Sequence, residues 1–250
     1  RQANQPSDPP TDQLTNRPNK QPSSLPAFQS SSLVVTIARW VLLVGLLLAA
    51  LGASFAPWVA RPAAALMLTA PDLAEFVKFL PEVRDGSLRV HRLLFLLPLF
   101  VATFALPLVV TSRRLTYPCL VRWSVLVVVI PLSLTLLPPV WSPAVLLSAE
   151  FRLQTVACLV CLGLTAGSRW LGSMPTRPLI ALLIPLSLAA PALALWQFFG
   201  VREAVTHAYG SPIAPGWGTW ITVVGSALVV LGALIALFGL RVMPRPNLDQ

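Results

Sequence analysis

Residues 142–170 read SPAVLLSAEFRLQTVACLVCLGLTAGSRW. The stretch is long and apolar enough to cross a bilayer, yet Glu150, Arg152 and Gln154 stand near its start. Ser142 is a helix-capping residue, and Pro143 suits the first helical position, where no backbone donor is lost. A helix begun there carries Glu150 roughly 10 Å along its axis at the helical rise. Glu150, Gln154, Cys158, Cys161 and Thr165 recur at helical spacing and share one face. A polar stripe on a membrane helix turns toward other helices, because lipid gives its groups no partner. The stretch therefore points to an all-α fold, a polytopic transmembrane bundle with this stripe as one seam.

Composition supports that class. Of the 250 residues, 56% are hydrophobic and only 11% are charged. A soluble globular domain has about 25% charge. The net charge of +9 would suit a nucleic-acid partner, but the basic residues sit in loops between apolar runs. That pattern argues for topogenic charge and contact with anionic lipid, not for nucleic acid. Cys119, Cys158 and Cys161 do not resemble the disulfide framework of an exported domain. No cleavable signal peptide is visible, since the first apolar run follows a polar tail and is too long.

Six spans are predicted, at about 33–55, 93–110, 123–139, 143–168, 179–199 and 220–240. Residues 1–32 read as a disordered cytoplasmic tail rich in proline and polar residues, and residues 244–250 as a short second one. In the first span, Arg39-Trp40 marks the cytoplasmic interface, and residues 33–38 read as a short interfacial turn. The outer loop 56–90 contains a short surface helix at about 72–80. Asp72 is its expected cap, and Leu73, Phe76, Val77 and Leu80 form its apolar stripe. Prolines 98, 107, 131, 185 and 191 fall inside spans, where each removes a helical hydrogen bond. In the last span, Gly225, Gly232 and Gly239 recur at heptad spacing, a stripe that lets a neighbouring helix approach closely.

Charge sets the orientation. With both termini cytoplasmic, eleven of the 18 basic residues lie inside, and the short inner loops carry no acid. Trp58, Trp141, Trp217 and Trp220 then fall at the outer interface as an aromatic belt.

Three groups of residues could carry chemistry. Glu150 and Gln154 are a polar-pocket candidate, with Arg92, Arg202, His91 and His207 at the same depth as partners. The competing placement leaves Glu150 and Arg152 in the headgroups. Cys158 and Cys161 form a C-x-x-C pair and are a redox candidate. That pair resembles the one in membrane thiol oxidoreductases of the vitamin K epoxide reductase and bacterial disulfide-generating types. The resemblance covers four residues and lacks the second, outer cysteine pair that those families use. No metal-ligand, nucleophile-elbow or phosphate-loop motif occurs, so no cofactor and no metal site is expected, and the chain reads as a non-enzyme.

Pro57-Trp58 after the first span, and Pro215-Gly216-Trp217-Gly218-Thr219-Trp220 before the last, resemble segments of uncharacterised bacterial multi-pass membrane proteins. The resemblance implies a bacterial plasma (inner) membrane and no particular activity. Two function classes follow. One is a non-enzymatic scaffold, assembly factor or subunit held to other membrane subunits by its helix faces. The other is a permease subunit working with a separate ATPase, which the shortness of the inner loops disfavours.

Overall fold

In hydrocarbon every backbone N–H and C=O must find its partner within the segment, so long apolar runs close into helices. The computed structural model describes residues 25–61, 66–210 and 212–242, and is mostly helical. Residues 1–24 and 244–250, most of the tails, lie outside the described residues. Helix α1 spans Leu25–Ser54. A short hairpin follows, β1 (Val59–Arg61) with β2 (Leu66–Leu68), paired antiparallel from Val59↔Leu68 to Arg61↔Leu66. Then come α2 (Ala70–Phe76), one 3-10 turn (Val77–Phe79) and α3 (Pro81–Arg84). The chain continues through α4 (Leu93–Thr111), α5 (Cys119–Leu134), α6 (Pro143–Leu146), α7 (Arg152–Ala166), α8 (Ser168–Leu171), α9 (Thr176–Tyr209) and α10 (Trp217–Val242).

Four stretches are long and apolar enough to cross a membrane: Leu33–Ser54, Leu93–Thr111, Thr176–Ala208 and Trp217–Leu240. Helices α5 and α7 are apolar but shorter, at 16 and 15 residues. The structure thus departs from the sequence reading in several places. Residues 33–38 are helical, not a turn, because α1 runs unbroken from Leu25 and takes in the last residues of the segment read as tail. The outer loop adds the small hairpin to an otherwise helical fold. The surface helix starts at Thr69, whose hydroxyl accepts from the Asp72 amide while the Asp72 carboxylate accepts from Thr69, so Asp72 closes a capping box from inside the first turn.

The fourth predicted span, 143–168, is interrupted. Ser142 does cap a helix, accepting from the Val145 amide, and Pro143 takes its first position. That helix, α6, ends at Leu146 after one turn. The Ser148 hydroxyl donates to the Val145 carbonyl, offering the backbone an alternative to helix. Thr155 donates to the Leu146 carbonyl and ties α6 to α7, which begins only at Arg152. Glu150 therefore stands in the turn between the two, not within a helix.

The tightest packing joins the first and last helices. Along α1, Val35, Leu42 and Ala49 face Gly239, Gly232 and Gly225 of α10, so the two run antiparallel in heptad register. A Cβ on Gly232 would lie 2.7 Å from the Leu42 amide nitrogen, and one on Gly225 would overlap the Ala49 backbone. Gly45 and Gly52 return the arrangement, with Val229 and Thr222 opposite. At Gly239 the nearest atoms are only the side-chain ends of Val35 and Val34.

Contacts sort the helix ends into two groups. At one end Arg39 donates to the Thr116 carbonyl (2.5 Å), Tyr117 donates to the Arg39 carbonyl (2.7 Å), the Ser112 and Thr176 hydroxyls meet at 2.9 Å, and Arg177 donates to the Leu240 carbonyl (2.5 Å). At the other end the Gly216 amide donates to the Trp58 carbonyl (2.6 Å), the Gly218 amide to that of Pro57 (2.9 Å), and the His91 amide to the Gln197 side chain (3.2 Å). Pro57-Trp58 and the Pro215–Trp220 segment thus meet in space. Helices α1, α4, α5, α7, α9 and α10 run alternately between these two ends, with α5 and α7 packed on α4 and on each other.

Candidate functional site

Helix α2 and the 3-10 turn after it bury Leu73, Ala74 and Val77, which leaves Glu75 and Lys78, three residues apart, on the other side. Arg92, just before α4, and Glu150, just before α7, come to the same place. Lys78 contacts Glu75 at 2.5 Å and Glu150 at 3.0 Å; Arg92 contacts Glu75 at 3.2 Å and Glu150 at 3.0 Å. The other end of the Arg92 guanidinium donates to the Glu150 carbonyl at 2.5 Å. Both cations also lie over the Phe151 ring, Lys78 at 4.9 Å and Arg92 at 4.7 Å from its centroid. Two acids and two bases alternate around a square, and this square fastens the loop helix to α4 and α7.

Hydrogen bonding from Lys78 is the largest influence on Glu150 and pulls its carboxyl below the usual 4.5, against a weaker opposing effect of burial. A carboxylate whose pKa is depressed in the folded protein contributes stability above its unfolded value and loses it as pH falls through the folded one. Thermal unfolding of the wild type is expected to drop more steeply than that of Glu150→Gln between about pH 5 and pH 3. Parallel curves for the two proteins would show that the square adds nothing in solution.

Of the partners read from sequence for Glu150, Arg92 is in the square. Arg202 instead donates to the Ile213 carbonyl (2.6 Å), and His207 stands 3.8 Å from Glu82. His91 offers only its amide, to Gln197. Lys78 is the partner that sequence reasoning missed. Its spacing from Glu75 on a short amphipathic helix was the available signal, but that helix's position over Glu150 was not encoded locally.

Gln154 parts from Glu150. It is 4% exposed, and its Oε1 is enclosed with no hydrogen-bond partner among the described residues. It lines two cavities. One, of about 830 Å³, lies beside α2 and is walled by Thr69, Asp72, Glu75, Phe76, Thr135 and Trp141 among others. The second, of about 310 Å³, is an apolar groove between α4 and α7, lined by Leu93, Leu97, Phe100, Leu153, Val156 and Val160. Leu96, Leu136 and Gln154 border both.

Cys158 and Cys161 are buried on the same face of α7, where the Cys161 sulfur meets the Thr103 hydroxyl of α4 at 3.4 Å. Enclosure of this kind suits small polarisable packing groups. Thr165, half-buried, donates to the Cys161 carbonyl, and Cys119 lies exposed at the opposite end of the bundle from Glu150. Among the described residues, no three His, Cys, Asp or Glu side chains gather in a group able to hold a metal ion. Comparison of the chain with protein-family models, with curated proteins and with solved structures finds no match.

Proposed function

We propose that the chain is a multi-pass protein of a bacterial plasma membrane, with six crossings and cytoplasmic ends, working as a non-enzymatic scaffold, assembly factor or subunit of a membrane complex. The observation that supports this best is the ion-pair square. It spends Glu75, Lys78, Arg92 and Glu150 on fixing a surface helix over α4 and α7, as a docking platform requires and as acid–base chemistry does not.

The six-crossing reading is supported by the alternating path of the helices. At ~1.5 Å per residue, α5 is about 24 Å long and α7 slightly less, against a hydrocarbon thickness of about 30 Å. Their outward faces are nonetheless apolar: Trp123, Val127 and Ile130 on α5, and Leu153, Val156 and Leu159 on α7, are exposed from the bundle. Such short crossings thin the bilayer locally or press against a neighbouring subunit.

Two measurements test the reading. Ser87 and Ser173 are both exposed in the structure, so the membrane alone decides their reactivity. After removal of the native cysteines, Ser87→Cys is expected to react with a membrane-impermeant thiol reagent in intact cells, and Ser173→Cys to resist it. The reverse labelling overturns the orientation. For the complex, native mass spectrometry of the gently extracted protein is expected to show a second polypeptide at fixed stoichiometry. A lone 26.9 kDa chain sinks the subunit role, and a stoichiometric ATPase replaces it with the permease reading.

A further inference from the structure

We propose that the two cavities bordered by Gln154 form one lipid site, with an acyl chain in the groove between α4 and α7 and a hydrogen-bond-donating ammonium headgroup, as in phosphatidylethanolamine, beside α2. The site rests on the membrane reading above but not on the subunit role, and the thiol labelling tests that footing separately.

The two cavities differ as the two ends of a lipid do. The groove has apolar walls apart from Gln154, and its rim residues Leu153, Val156 and Val160 are exposed on the flank of the bundle, where hydrocarbon would lie. The cavity beside α2 is larger and carries the polar groups. Leu96, Leu136 and Gln154 are common to both linings, so the two cavities adjoin at these side chains. An amphiphile sliding in sideways from the bilayer meets apolar surface first and polar surface at the outer end.

Acceptors dominate the polar end. The hydroxyl protons of Ser54, Thr69 and Thr135 are given to the Ala50 carbonyl, the Asp72 carboxylate and the Leu132 carbonyl. The ionisable groups on this wall are both carboxylates, Asp72 and Glu75. Glu75 is matched by Lys78 and Arg92, whereas Asp72 forms no ion pair among the described residues. The Gln154 Oε1 is an enclosed acceptor with no donor among the described residues, a costly state, and it reaches the cavity face when the side-chain amide turns over. A ligand that supplies N–H donors and positive charge pairs with the Asp72 carboxylate and gives the turned Gln154 amide a donor. A primary ammonium does so. A choline headgroup has no N–H to give, and a phosphatidylglycerol headgroup brings negative charge to a carboxylate wall.

The test is native mass spectrometry of the full-length protein, equilibrated in detergent with phosphatidylethanolamine, phosphatidylcholine and phosphatidylglycerol of identical acyl chains. The ethanolamine adduct is expected to exceed the other two by roughly fivefold, the worth of one ordinary net hydrogen bond. Gln154→Leu keeps the packing and removes the orphaned acceptor, so it is expected to fold at least as stably as the wild type without lipid while losing that preference. Asp72→Asn, whose side-chain oxygen can still accept from Thr69 in the capping box, is expected to narrow the gap between ethanolamine and glycerol headgroups. Ala157→Phe, which fills the groove, is expected to lower adducts of all three lipids. Equal retention of ethanolamine and choline lipids by the wild type overturns the proposal. So does an ethanolamine preference that survives Gln154→Leu, or undiminished binding in Ala157→Phe.

Discussion

Gly225→Leu is expected to abolish recovery of folded protein in mild detergent, with a loss of at least about 3 kcal/mol, the upper range for overpacking a well-filled interface. The reason is geometric. A Cβ at this position would overlap the Ala49 backbone, and backbone cannot swing aside as a side-chain end can. Gly232→Leu is expected to be nearly as severe, since its Cβ would stand 2.7 Å from the Leu42 nitrogen. Gly239→Leu is expected to be milder, because only the Val34 and Val35 methyls are in the way, and Val230→Leu milder still. Equal thermal stability of Gly225→Leu and Val230→Leu would falsify the close α1–α10 contact.

Removal of Arg92 ranks second. Its guanidinium holds Glu75, the Glu150 carboxylate, the Glu150 carbonyl and the Phe151 face together. Arg92 is 14% exposed and Glu75 23%, but Glu150 is 51% exposed, so water screens part of the interaction. Arg92→Leu is therefore expected to cost about 2 kcal/mol, below the figure for a fully buried pair. Protease cleavage in the outer loop is expected to speed up before the bundle itself melts. Adding Glu150→Gln to Arg92→Leu is expected to cost little more, because the two act as one unit. Fully additive effects would show that the square is an arrangement of neighbours without coupling.

The membrane class and the long helices were legible in the sequence, because a run such as Leu93–Val110 has one low-energy solution in hydrocarbon. The heptad of Gly225, Gly232 and Gly239 was legible as a period, but not its partner. Nothing local says that α10 meets α1 when α9 is the nearer neighbour in sequence. The break at residues 147–151 was not legible. Ser142 and Pro143 begin a helix as their chemistry demands, but the Ser148 and Thr155 hydroxyls end it, and Glu150 is drawn aside by a lysine 72 residues earlier. Periodicity assigned Glu150 and Gln154 to one face. The structure gives them different neighbours, because only Gln154 lies within α7.

The pairing of α1 with α10 also bears on the order of synthesis. Helix α1 has its tightest partner in α10, so Gly45, Ala49 and Gly52 wait until α10 has been made. Until then α1 presents a narrow, small-residue flank to lipid or to a membrane chaperone, with α4 as its other main partner among the described residues. Closure of this helix pair thus comes only after α10 emerges. A chain cut short anywhere before Trp217 leaves that flank bare, so truncated products carry a visible mark of incompleteness that the finished protein hides.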